Sequence, residues 1–291
     1  MAFAVRRPYH AGSAPPLKLA ADLDPMQSHI KRTVKWAGAN LVPAAVRQAL
    51  LRGAFSIMPE GQRDEVRKSF QMASVEWSLR NIRSLGFRPR RVVDVGAYVG
   101  NWTRMAKSIF PESKVLMVEA QPSKEPEMRR ACEEYPPGEV SYRITLLGPE
   151  EREGVRFYEL ETGSSVLSEQ SSIARTEATY PMRTLDSVLT EAGFGGADLL
   201  KLDVQGYELE VLKGAGRTLE GTEVVLMEVS LLRVNEGAPL LADVLQFMGE
   251  RGFRAYDICS FIRRPLDNAL WQSDFLFVRE TSGLLASQSF N

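Results

Sequence analysis

Residues 91–110 read RVVDVGAYVGNWTRMAKSIF, and this stretch decides the fold. It opens as a short apolar run, Val92-Val93-Asp94-Val95, breaks at Gly96 and turns again at Gly100. It then becomes periodic, with Trp102, Met105, Ala106 and Ile109 on one face of a helix. Strand, glycine loop and helix in that order bring backbone N–H groups and the positive end of a helix beside any ligand bound there.

Downstream, short β-rich runs alternate with helical patterns. KVLMVE (114–119) precedes a charged helix over 123–134, and Val140–Leu147 leads into an irregular, Gly/Ser-rich segment reaching Gly163-Ser164-Ser165. Thr184 opens a short helix, and LLKLDV (199–204) precedes another over 207–218. VVLMEV (224–229) precedes a helix over 239–251, and runs at 253–258 and 274–278 end the set. Such alternation predicts an α/β fold with a doubly wound, mostly parallel seven-stranded sheet. No helical pattern joins the last two strands, so the final one is expected to run antiparallel. The organisation expected is a flexible arm (1–27), a helical extension (28–88), the main domain (89–281) and a tail (282–291).

The bulk composition narrows the function. With 44% hydrophobic and 25% charged residues the chain can build a sizeable core, and a net charge of −1 offers no general attraction to nucleic acid. No apolar run approaches the length of a membrane span. Arg6-Arg7 is followed by Pro8-Tyr9-His10 and not by an apolar core, so a cytoplasmic location is expected. Cys132 and Cys259 lack metal-type spacing and read as unpaired buried thiols. Between Lys31 and Arg52 lie five basic residues and no acid. They suit either a membrane-surface or lid helix, or a helix packed on the core or on a second subunit.

The chemistry concentrates where strands end. Tyr98 and Asn101 break the G-x-G-x-x-G fingerprint of a dinucleotide site, and an acid at Asp94 would repel a diphosphate. Glu119 closes the second strand, where a carboxylate can accept two hydrogen bonds from a ribose diol. Asp203 and Glu228 close two further strands, so four acids share one sheet edge. Lys201, two residues before Asp203, needs an acidic partner if that strand is buried.

VVDVGAYVGNWT together with DLLKLDVQGYELEVLKGA and the closing SDFLFV resembles the FkbM-type S-adenosylmethionine-dependent methyltransferases, from about Val92 to Val278. The resemblance implies a class I methyltransferase fold that binds S-adenosylmethionine. It places Asp94, Gly96 and Gly100 against the methionine part of the cofactor, with Ala97, Tyr98 and Asn101 in the same loop. Thr103 would hold the cofactor's carboxylate and Glu119 its ribose hydroxyls, with Ala120 and Gly148 nearby. Asp203 would lie near the amino group and the reacting centre, and Gln205 stands where many members carry Glu. Substrate contacts are expected from Gln205, Tyr207, Ser164 and Ser165. The implied reaction is O-methylation of a sugar, glycoconjugate or polyketide-type acceptor. A non-catalytic module or an NAD-dependent oxidoreductase are the rival readings.

Deprotonating a hydroxyl needs a base. The only histidines, His10 and His29, lie in the N-terminal extension, which leaves Asp203, Glu228, Asp257 and Asp274. An acid pair such as Asp203 with Glu228 could instead begin a divalent-metal site. Trp271 and Tyr256 are candidates for an acceptor pocket or for core packing. The partners expected are a small hydroxylated acceptor, no nucleic acid, and a second copy of the chain joined through the N-terminal helices.

Overall fold

The computed structural model describes residues 53, 57–59, 62, 66, 73–159, 164–167, 176–287 and 289. The chain divides into two compact units, 1–66 and 67–291, and every element named below belongs to the second. The expected arm, the basic stretch from Lys31 to Arg52, both histidines and Gly163 lie outside the described residues.

Helix α1 (Val75–Ser84) is started by Ser74, whose hydroxyl accepts from Trp77 N, and it buries Leu79 and Ile82 completely. β1 (Arg91–Val95) follows, then α2 (Asn101–Ile109), β2 (Lys114–Glu119), α3 (Glu125–Glu133) and β3 (Val140–Ile144). Next come β4 (Leu146–Leu147), β5 (Arg152–Glu159), β6 (Thr176–Arg183), α4 (Leu185–Glu191) and β7 (Leu199–Leu202). The order closes with α5 (Glu208–Lys213), α6 (Gly216–Gly221), β8 (Val224–Ser230), α7 (Leu241–Gly249), β9 (Phe253–Ile258), β10 (Ile262–Arg263) and β11 (Leu270–Arg279).

The main sheet runs β10-β11-β8-β7-β1-β2-β3, with β9 paired to the far side of β11. β3, β2, β1, β7 and β8 are parallel, and β11 is antiparallel to both β8 and β9. The mostly parallel sheet and its antiparallel last strand are therefore as the sequence predicts, with the two-residue β10 as an eighth strand. Helices cover both faces. Val93, Val95, Leu200, Leu202, Val225 and Met227 point into one core, while Val92, Val115, Met117, Leu199 and Leu226 point into the other. Burial on both sides explains why these strands read as continuous apolar runs and do not alternate.

Two expectations need correction. The segment after β4 is not irregular throughout, because β5 and β6 form an antiparallel pair in a second sheet with β4. The helix expected over 207–218 is two helices, interrupted at Gly214. A Cβ there would meet the carbonyl oxygen of Gly148 at 2.1 Å, so the backbone of 148 packs where a side chain would stand. Thr184 starts α4 as its position implies, accepting from Ser187 N at 3.2 Å.

Candidate active site

Strand order reverses at β1, since β2 and β3 lie to one side and β7 and β8 to the other. Ligands of open α/β sheets bind outside the carboxyl ends of the strands at that switch. A cleft of about 240 Å³ opens there. Gly96, Ala97, Tyr98 and Asn101 line it from the β1 turn, Glu119 and Ala120 from the end of β2, and Asp203, Gln205 and Tyr207 from the β7 turn.

Both turns are held in conformations that L-residues rarely adopt. Tyr98 has φ +50° and Gln205 φ +54°, beside Gly96 at +73° and Gly206 at +93°. Non-glycine residues in this region cost roughly 1–3 kcal/mol each and persist where the surroundings impose them. Here the two turns impose on each other. A Cβ on Gly96 would lie 1.9 Å from the carbonyl oxygen of Asp203, so only glycine lets the loops meet.

The amides of the β1 turn, expected to face a ligand, are largely engaged within the protein. Gly96 N and Ala97 N donate to Val118 O, and Gly100 N donates to Ala97 O. Tyr98 N donates to Glu119 Oε2 at 2.8 Å, while Gln121 N and Nε2 donate to Oε1 at 3.0 and 3.3 Å. Glu119 is thus a buried carboxylate oriented by three N–H donors, with its remaining acceptor capacity on the cleft side. The Tyr98 ring is placed by Lys124, whose ammonium lies 4.5 Å from its centroid and donates to its hydroxyl at 3.3 Å.

Asp94 occupies a different place from its neighbours. Its side chain is 0% exposed and does not line the cleft. It lies opposite Lys201 in the β1–β7 register, and the pair is closed at 3.1 Å. Thr103 Oγ1 donates to its second oxygen at 2.7 Å, so that hydroxyl, also fully buried, points at Asp94 and away from the cleft. Lys201 Nζ also donates to Val95 O and Gly96 O at 3.2 and 2.9 Å, tying the β1 turn to β7. Burial pulls the Lys201 ammonium down, and the charges of Asp94 and Asp203 more than reverse this, so it stays charged. Gly100 and Gly148 also lie behind the cleft wall, Gly100 against Ala131 and Met117 and Gly148 against Met182.

At the β7 side the acids are joined by an amide. Gln205 Nε2 donates to Asp203 Oδ1 and to Glu228 Oε2, both at 3.0 Å, and Gln272 Nε2 donates to the same Glu228 oxygen at 2.9 Å. Glu228 is buried outside the cleft and reaches it only through Gln205. Opposite it across the β8–β11 ladder stands Asp274. Burial pushes Glu228 well above the usual carboxylate range, and Asp203, Glu208 and Asp274 push it further. Burial likewise raises Asp274. A third carboxylate at position 205 would face two others, whereas the glutamine supplies the donor that both need. Glu208 pins the turn from below, accepting from Val204 N at 2.9 Å and Gly206 N at 3.1 Å, and burial lifts it to about 7.

Of the remaining expected residues, Ser164 lines the cleft and Ser165 supports it, donating to Gln205 O at 3.1 Å. Tyr256 packs on the core, and neither it nor Trp271 lines the cleft. Asp257 accepts from Ser78 at 2.6 Å, which fastens α1 to β9. Cys259 is buried and Cys132 half-buried, both unpaired, and burial raises their thiols to about 12 and about 11. Among the described residues, no three His, Cys, Asp or Glu side chains converge as a metal-binding group, and no helix is long and apolar enough to cross a membrane. Sequence reading missed Gln121, Thr145 and Phe157, which also line the cleft. Only Gln121, two residues after Glu119, had a positional signal.

A family model described as the methyltransferase FkbM domain matches residues 94–255, more than half of the chain. Among solved structures, a methyltransferase FkbM from Methylobacillus flagellatus KT aligns at 15% identity and a TM-score of 0.43. That alignment covers 70% of this chain and 48% of the other, so the chain spans about half of that protein's length. Magnesium protoporphyrin IX methyltransferase from Synechocystis PCC 6803, solved with bound S-adenosylmethionine, aligns at 12% identity and a TM-score of 0.42, covering 90% of this chain and 100% of the other. A putative RNA methyltransferase from Pyrococcus horikoshii aligns at 14% identity and a TM-score of 0.41, covering 70% and 82%. Comparison with curated proteins returned no match.

Proposed function

The chain belongs to the methyltransferase FkbM family, and we propose that its cleft binds S-adenosylmethionine and that the enzyme methylates a hydroxyl of a small molecule. The observation that carries this reading is Glu119, a buried carboxylate turned toward the cleft by Tyr98 N and Gln121 N and suited to accept from a ribose diol. The rest of the lining fits the same ligand. Asp203, whose side chain is 41% exposed, offers negative charge where an ammonium or sulfonium would lie. The cleft is just below the roughly 300–1,000 Å³ of typical small-molecule sites. Phe157, Leu146 and Val166 give it apolar walls for a flat ring.

When bound, the cofactor supplies an electrophilic methyl group on a sulfonium. The protein's part is alignment and exclusion of water. Gly96 allows the two turns to close on each other, and the Lys201–Asp94 pair locks them beneath the cleft. In this reading Asp203, on the cleft wall, takes the acceptor's proton. Glu228 holds Gln205, and Gln205 orients Asp203. The Asp94 and Thr103 roles are accordingly bracing roles. The acceptor class, a sugar, glycoconjugate or polyketide-type molecule, rests on the family resemblance.

The test is transfer of tritium from methyl-labelled S-adenosylmethionine to a panel of hydroxylated sugars and polyketides, with amine and thiol analogues beside them. Label appearing on hydroxyl acceptors supports the reading, and label confined to amines or thiols contradicts the O-methyl assignment.

A further inference from the structure

A second cavity of about 460 Å³ lies against the first. Tyr207 lines both, and their walls continue into each other at Val166–Leu167 and at Gln205–Gly206. Its other side is the loop from Arg233 to Pro239 and the first turn of α7. That loop is fixed to the β7 turn, because Asn235 Nδ2 donates to Gln205 O at 2.7 Å. The fit is close, since a Cβ on Gly206 would meet Ala238 Cβ at 2.9 Å. The cavity is therefore built by the same backbone that shapes the Asp203 side of the cleft.

Its charges are unevenly satisfied. Glu210 is paired with Lys213, and Asp243 accepts from Leu240 N at 2.8 Å. Arg233 is exposed at the rim, and among the described residues no acid faces its guanidinium within ion-pair distance. An unengaged guanidinium is a fork suited to phosphate oxygens. The opposite wall is partly apolar, with Leu167, Leu209 and the Tyr207 ring.

We propose that this second cavity is the acceptor subsite and that it takes a hydroxylated molecule carrying a phosphate group, held through Arg233 with its hydroxyl directed past Tyr207 toward Asp203. This rests on reading the first cleft as the cofactor site.

The probe is glucose 6-phosphate, with glucose as the neutral control, added to the full chain saturated with S-adenosylhomocysteine and followed by NMR. The wild-type protein should bind the sugar phosphate and not glucose, with nuclear Overhauser contacts between the two ligands. Arg233→Ala should weaken binding by about tenfold, the scale of one charge-assisted hydrogen bond. Arg233→Lys, which keeps the charge but not the fork, should retain only part of it, and Arg263→Ala, outside the cavity, should leave it unchanged. Equal binding by Arg233→Ala, no binding by the wild type, or binding without contacts to S-adenosylhomocysteine would each overturn the proposal. Arg233-dependent binding by a protein that does not take up S-adenosylhomocysteine would remove the cofactor reading and the acceptor assignment with it, leaving an anion site alone.

Discussion

Gly96 and Asp203 follow different strands, β1 and β7, yet a methyl group on the first would stand 1.9 Å from the carbonyl oxygen of the second. The turns after β1 and β7 are pressed together at the switch in strand order, and Asp203 N donates to Val95 O at 3.1 Å beside that contact. The cleft owes its shape to this approach. Gly96→Ala meets both the steric conflict and a φ of +73° that alanine resists. It should lower stability by about 2–4 kcal/mol and abolish S-adenosylhomocysteine binding, as read by denaturant unfolding and calorimetry. An alanine variant with wild-type affinity would mean the turns are not set by this contact.

Asp94 and Lys201 form a buried pair whose members lie opposite each other in the β1–β7 register. Removing one partner strands the other in the core. Asp94→Ala should therefore cost about 3–5 kcal/mol. Thr103→Ala, which loses one hydrogen bond to the same carboxylate, should cost about 1 kcal/mol. Denaturant midpoints at constant m-value decide this. Comparable, small losses from both would place Asp94 outside the folding core.

The pH dependence follows from the raised acids. In the folded protein Glu208 titrates at about 7, against an ordinary value of 4.5, because burial disfavours its charge. Between these values the folded state holds a proton that the unfolded state has lost. Stability from this group is thus complete below about 4.5 and declines as pH rises toward 7. Glu228 and Asp274, also raised by burial, act in the same direction. Glu208→Gln should flatten the fall in stability over that interval relative to wild type. Parallel stability–pH curves for the two proteins would contradict it.

The thiols give a simpler check. Burial raises Cys259 to about 12 and Cys132 to about 11, so neither supplies much thiolate at pH 8. Native protein should react slowly with a disulfide reagent, the half-buried Cys132 ahead of the buried Cys259, and both should react at once on unfolding. Rapid reaction of Cys259 in native protein would show that the β9–β11 region opens.

The strands and the sheet edge were legible because both sheet faces are covered, which leaves largely apolar runs with an Asp or Glu at or next to their ends. The β5–β6 pair was not. Of the eight residues of β5 only Phe157 is buried, so no alternation marks the strand, yet that phenylalanine is a wall of the cleft. The acids at the strand ends were found as a set, but their division of labour was hidden. Asp94 lies inside a face and pairs with Lys201 across the ladder, whereas Glu119 is turned outward by amides of its own and the neighbouring turn. Nothing in their spacing separates the two. Register and backbone direction do.

The central claim is that Glu119 is the cofactor's anchor and Asp94 a brace beneath it. The most direct test is calorimetric titration of S-adenosylhomocysteine into wild type and Glu119→Gln, with unfolding midpoints measured on the same samples. The account predicts binding to wild type and at least about a tenfold loss in Glu119→Gln, which forfeits charge-assisted bonds to the ribose. That variant should stay folded but be less stable by about 1–3 kcal/mol, because the new NH2 must face Tyr98 N or Gln121 N. Equal affinity in the two proteins, or no binding to wild type, would contradict it.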